Sequence, residues 1–71
     1  IVPYLSVAQN LFLGREIRTK LGTMDFAEIN RRAEEMISSL GVNIKAHTIV
    51  ENLTIAQQQK VEIVKAVSFN G

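Results

Sequence analysis

Ahead of three apolar runs at helical spacing, a short polar residue stands three places before a carboxamide or carboxylate: Ser6 and Gln9, Asp25 and Glu28, Thr54 and Gln57. The first amides of a helix have no partner inside it. A hydroxyl or carboxylate at the cap accepts from one of them, and the third helical side chain reaches back to the cap. Three capping boxes therefore predict three helix starts. Gly14 and Gly41 sit just past the apolar residues that follow the first two starts, where glycine ends a helix. No segment between them alternates convincingly as a strand would. The chain is thus expected to be all-α: one small unit over residues 1–71, with three helices and a short turn.

The apolar spacing fills in each helix. Val2 before Pro3 predicts an extended lead-in, and Val7, Ala8, Leu11 and Phe12 then recur at helical spacing behind Ser6. Behind Asp25, a stripe of Phe26, Ile29, Ala33, Met36, Ile37 and Leu40 is backed by Asn30, Arg31, Arg32, Glu34 and Glu35. Glu34 and Glu35 are neighbours, so they point about 100° apart and make no catalytic carboxylate pair. The third helix runs from the polar Gln57–Lys60 into Val61, Ile63, Val64, Ala66 and Val67. Its amides at Thr54, Ile55, Ala56, Gln57 and Gln58 form a small, polar first turn of positive partial charge, suited to an anion and above all to phosphate. Most capped helix starts bind nothing, so the residues alone leave a phosphate site and a bare cap both open.

The two connections carry less chemistry. Arg15 to Met24 is basic but interrupted by Glu16 and has no interleaved aromatic, which predicts a solvated loop. Gly41 to Asn52 holds a short turn, tied to the core by Val42, Ile44, Ile49 and Val50. His47 is the one histidine, and without a second ligand beside it a surface role is expected.

Composition closes off several classes. With no cysteine there are no disulfides or thiolate metal sites, and a net charge of +1 gives no long-range attraction for nucleic acid. No apolar run approaches the ~20 residues of a membrane span. The chain begins without methionine at Ile1-Val2-Pro3 and runs out at Ser68-Phe69-Asn70-Gly71 with no stop, so it is expected to be a piece of a larger protein.

Leu53-Thr54-Ile55-Ala56-Gln57-Gln58-Gln59, followed by Lys60-Val61-Glu62-Ile63-Val64-Lys65-Ala66, resembles the signature motif of ABC transporter ATPases. The variant is similar to that in the first of two ATPase domains of bacterial monosaccharide importers of the ribose, galactose and xylose type. The usual pattern is leucine, serine, two glycines and glutamine; Thr54 keeps the hydroxyl, while Ile55 and Ala56 stand where the glycines would be. Val2 to Glu16, VPYLSVAQNLFLGRE, resembles the segment after the Q-loop, whose glutamine would precede Ile1.

The resemblance spans essentially the whole chain, with Leu53 to Ala66 as its specific part. It implies the helical subdomain of a P-loop ABC ATPase, cut from a larger nucleotide-binding domain, with the signature at residues 53–59. The parent would be a transport ATP hydrolase, peripheral on the cytoplasmic face of the inner membrane. Its ATP would lie between the phosphate loop of one ATPase domain and the signature turn of the other. Thr54, Ile55, Ala56, Gln57 and Gln58 would be the nucleotide-binding residues; no catalytic residue and no metal ligand falls here, and magnesium would belong to the rest of the parent. Without a phosphate loop or acidic strand the isolated chain should be inactive. Implied partners are a second ATPase domain and membrane-spanning permease subunits, with Val7 to Leu13 as a coupling surface and no nucleic acid. Self-association of the fragment through its apolar stripes is a further expectation. The alternative is a helical protein-interaction module without an enzymatic role.

Overall fold

The structure, a computed structural model, describes residues 1–69, so the expected open end at Asn70–Gly71 lies outside the described residues. It holds helix α1 at Val7–Leu11, α2 at Phe26–Ser39, a single 3-10 turn at Val50–Asn52 and α3 at Ile55–Phe69. Among the described residues the only strand-like features are isolated bridges, Ser6 with Ile49 and Arg18 with Met24. The all-α expectation is borne out.

Two of the three capping boxes form completely. Ser6 Oγ accepts from the Gln9 amide at 3.1 Å, and Gln9 Oε1 accepts from the Ser6 amide at 2.9 Å. The echoing pair at Thr54 and Gln57 closes with the same two distances. The box at Asp25 forms only by half: its carboxylate accepts from the Glu28 amide at 3.1 Å, but nothing returns. Glu28 is drawn instead to Arg31 at 2.7 Å and Arg32 at 3.0 Å, while the Asp25 amide donates to the Ile17 carbonyl at 2.7 Å. Two guanidinium partners compete better for a carboxylate than one neutral amide already satisfied elsewhere. At its far end α2 closes as expected. Gly41 adopts φ +69°, its amide donates to Ser38 and that of Val42 to Ile37, the paired bonds of a left-handed helix terminus.

The core gathers Val7, Ala8 and Leu11 of α1 and the adjoining Phe12 against Ile29, Ala33 and Ile37 of α2, with Val61 and Val64 of α3. Ile44, Ala46 and Val50 close it from the second connection. The stripe on α2 is narrower than its spacing suggests, since Phe26 and Leu40 are exposed. On α3 the difference is larger: Ile63 and Val67 stand 59% and 57% exposed. At 100° per residue they lie about 110° around the helix from the Val61–Val64 stripe, so one side of α3 meets the core while this flank stays largely open to solvent.

Neither connection is irregular in its bonding. Residues 3–8 run antiparallel to residues 46–51: Glu51 donates to Pro3, Val50 to Leu5, Val7 to Thr48 and Ala8 to Ala46, all at 2.9–3.0 Å. Glu34 reaches across from α2 and accepts from the Ala46 amide at 2.6 Å, so it serves this ribbon while Glu35 pairs with Arg31. The Arg15–Met24 loop folds back on itself, with the Thr19 amide donating to Thr23 at 2.7 Å and Arg18 to the Gly22 carbonyl at 3.1 Å. Arg15 lies 4.6 Å over the Phe69 ring, which meets Phe12 edge-on, pinning the end of α3 to the residues that follow α1.

Candidate functional site

The candidate site is the start of α3, and the path of the chain into it decides its chemistry. The 3-10 turn Val50–Asn52 ends with the Leu53 amide donating to Val50 at 3.0 Å, and Leu53 is extended at φ −89°, ψ 153°. Thr54 then caps the helix. Its backbone amide is taken by Gln57 Oε1, its Oγ1 accepts from the Gln57 amide, and its carbonyl accepts from the Gln58 amide at 2.9 Å.

These bonds sort the five expected residues into two roles. Gln57 and Gln58 build the turn. Gln57 spends its side-chain carbonyl on the cap, and the half-buried Gln58 aims its side-chain nitrogen at the Val50 and Leu53 carbonyls, 3.3 Å from each. Thr54, Ile55 and Ala56 form its open side, all three exposed, with Ile55 at 71%. Among the described residues the amides of Ile55 and Ala56 have no acceptor, and the Thr54 hydroxyl accepts one bond while its proton has no acceptor. Two amides and a hydroxyl proton thus converge at the positive end of a 15-residue helix. No carboxylate is bonded into the turn. Such a group can receive the oxygens of an anion and has nothing with which to break bonds.

The other expected features fall elsewhere. Of the coupling segment Val7 to Leu13, Val7, Ala8, Leu11 and Phe12 are buried, Gln9 is half-buried and Leu13 is 47% exposed. Beside it lies a groove of about 150 Å³, walled by Leu5, Phe12 and Leu13 on one side and Met24, Phe26 and Ile29 on the other. The sequence reading put Phe26 in the core and Met24 in a solvated loop, and so missed the groove; the fold-back of the Arg15–Met24 loop brings the two together. His47 is exposed. Among the described residues no three His, Asp or Glu side chains gather as a metal site would need, and no helix is long and apolar enough to cross a membrane. The charge cluster on α2, in which Arg31 and Arg32 hold the Glu28 carboxyl well below its usual range, is far along the chain from the turn and works within its own helix.

No family model matches the chain, and no solved structure does. Curated proteins do match. A protein of Ralstonia nicotianae, provisionally named a ribose/galactose/methyl galactoside import ATP-binding protein, is 41% identical over 70 residues, covering 99% of this chain and 14% of its own length. A ribose import ATP-binding protein of Hahella chejuensis is 41% identical, and one of Burkholderia ambifaria 44%, each over the same 99% of this chain and 14% of theirs. The chain thus spans about one-seventh of the length of the curated relatives it matches. The resemblance read from Leu53 to Ala66 is borne out along the whole chain, which corresponds to a segment of sugar-import ATP-binding proteins of the ABC type.

Proposed function

From a chain akin to one segment of the sugar-import ATP-binding proteins, we propose a signature-bearing helical subdomain whose Thr54 turn grips the terminal phosphate of ATP. The ATP is held mainly by a second, opposing ATPase domain. The observation that carries this reading is the coincidence of two things at one place. The residues that match the signature motif are the same ones whose amides, Ile55 and Ala56, lack an acceptor in an exposed helix start.

Each residue of the turn has a definite task. Thr54 donates its hydroxyl proton to a phosphate oxygen while its lone pair stays with the Gln57 amide, so cap and contact coexist. Ile55 and Ala56 present backbone amides, and the helix dipole adds to both. Gln57 and Gln58 hold the turn in shape. The side chains in place of the usual glycines are both exposed, and neither takes up the two free amides. ATP supplies the phosphoanhydride that is hydrolysed, and this segment contributes positioning and charge stabilisation with no covalent step. Among the described residues no ligand set gathers for magnesium, which would be held by other parts of the parent. The parent is a transport ATPase peripheral to the cytoplasmic face of the inner membrane, and the chain alone is inactive.

The groove beside α1 gives the membrane-spanning permease subunits a surface to press on. Its walls are mostly apolar, with Gln9 and Glu16 among them, and come from the two ends of α1, the following loop and the start of α2. A push there moves the helices as one body through their shared core, which converts nucleotide binding into motion of the transport path. A second reading, a helical interaction module, is favoured by the exposed Ile63 and Val67, which line a shallow surface with Leu40 and Val42. In the first reading the rest of the parent covers that surface; in the second, or in an isolated fragment that self-associates, another molecule does.

In the full-length polypeptide, Thr54→Ala should cut ATPase and transport while nucleotide binding to the phosphate-loop side persists. Wild-type turnover in that variant would refute the reading.

A further inference from the structure

Asn10 is the one buried polar side chain among the described residues, 3% exposed in an otherwise apolar core. Its bonds reach back along the chain. Oδ1 accepts from the Val2 amide at 2.6 Å, and Nδ2 donates to the Val2 carbonyl at 3.0 Å and the Ser6 carbonyl at 2.9 Å. A buried amide with both ends satisfied locks a backbone conformation, because any shift of Val2 strands a donor and an acceptor away from water. What it locks is the first segment of the ribbon. Pro3 and Leu5, between the two clamped residues, accept from Glu51 and Val50. Val50 in turn accepts from the side chain of Gln58, whose other bond goes to Leu53.

We infer that Asn10 is a positioning residue for the Thr54 turn. It acts through hydrogen bonds joined by peptide links: Asn10 bonds Val2 and Ser6, their chain neighbours Pro3 and Leu5 bond Glu51 and Val50, and Val50 bonds Gln58. The inference rests on the proposed role of that turn at a nucleotide phosphate. A second consequence follows from the direction of the run. Whatever displaces the backbone at Val2 reaches the turn without passing through α2, so the turn is set from the N-terminal segment as well as from the core.

The variant that cuts this link most gently is Asn10→Ser. A serine hydroxyl can still bond the Ser6 carbonyl four residues back but is too short to reach Val2. Steady-state ATPase of the full-length polypeptide would be measured for Asn10→Ser, Thr54→Ala and the double variant, with thermal melting to show that each is folded. Gln58→Met, which keeps the bulk of a half-buried side chain and removes the bonds to Val50 and Leu53, cuts the run at its other end and replaces Asn10→Ser if that variant melts below the assay temperature.

The expected result is a kcat about fivefold lower in Asn10→Ser, the scale of one lost hydrogen bond. KM for ATP should stay near the wild-type value, since the turn touches a nucleotide bound elsewhere. In the double variant kcat should be no lower than in Thr54→Ala alone. Multiplicative losses, or wild-type kcat in Asn10→Ser, would overturn the inference while leaving the role of the turn intact. Wild-type turnover in Thr54→Ala would instead overturn the role of the turn, and this inference with it.

Discussion

Ile55→Pro separates a helix cap from a phosphate grip, because it removes one hydrogen atom that matters to only one of them. Ile55 is the first residue of α3, and its amide has no acceptor within the described chain. Proline is well tolerated at this position, where its missing N–H would be unpaired anyway and its fixed φ suits the helix. The residue before it must be extended, which is the usual conformation of a capping threonine. The lost side chain was 71% exposed, so little burial is forfeited. Stability of the 71-residue chain should therefore change by no more than about 0.5 kcal/mol, the range of surface substitutions. A hydrogen bond to a charged oxygen is worth about 1.5–3 kcal/mol, and losing it from the transition state lowers kcat by about 10- to 150-fold. Thermal melting of the chain and ATPase turnover of the full-length polypeptide read the two effects separately. Unchanged stability with unchanged turnover would refute the reasoning, since a free amide would then be serving only as a free amide.

Two further predictions concern the scaffold. Leu11 is fully buried, and Leu11→Ala should cost about 2–5 kcal/mol, enough to unfold much of so small a unit; urea titration of the 71-residue chain followed by circular dichroism checks it, and a loss under about 1 kcal/mol would show a poorly packed core. Glu28 is pulled down from 4.5 to about 2, first by its hydrogen bonds to Arg31 and Arg32. The folded chain therefore binds fewer protons than the unfolded one between those values. The stabilisation is fully present above about 4.5 and is lost as pH falls through about 2. Glu28→Gln should melt below the wild type at neutral pH, by an amount that salt reduces because both arginines are more than half exposed, and the two melting curves should converge in acid. A gap that persists at the acid end would assign the loss to something other than the ion pairs.

How much of this could be seen in the sequence depended on how local the cause was. The caps at Ser6 and Thr54 and the stop at Gly41 are settled within four residues, and they form as the spacing suggests. The box at Asp25 fails by half because Glu28 has better partners three and four residues on, a competition that the capping pattern alone does not weigh. The ribbon between residues 3–8 and 46–51 is non-local and has no alternation to announce it, since its residues serve the core and the backbone at once. Asn10 was passed over for the same reason: nothing in its neighbourhood says that Val2 will fold back over it. The groove depends on a loop that looked solvated, and its walls, Met24 and Phe26, became visible only once Thr19 and Thr23 had closed that loop. At the turn itself, the capped helix start was legible in the sequence, but which of its amides stay free was not. Which amides remain free follows from where Gln57 and Gln58 send their side chains.

The central claim is a contact, and the most direct measurement is an experimental structure of the full-length polypeptide with a non-hydrolysable ATP analogue trapped between its two ATPase domains. The account predicts terminal phosphate oxygens within about 3 Å of the Ile55 and Ala56 nitrogens and of Thr54 Oγ1, the length of a charge-assisted hydrogen bond. A closed, nucleotide-loaded state in which the start of α3 faces solvent or another protein surface, with no phosphate oxygen near those atoms, would contradict it.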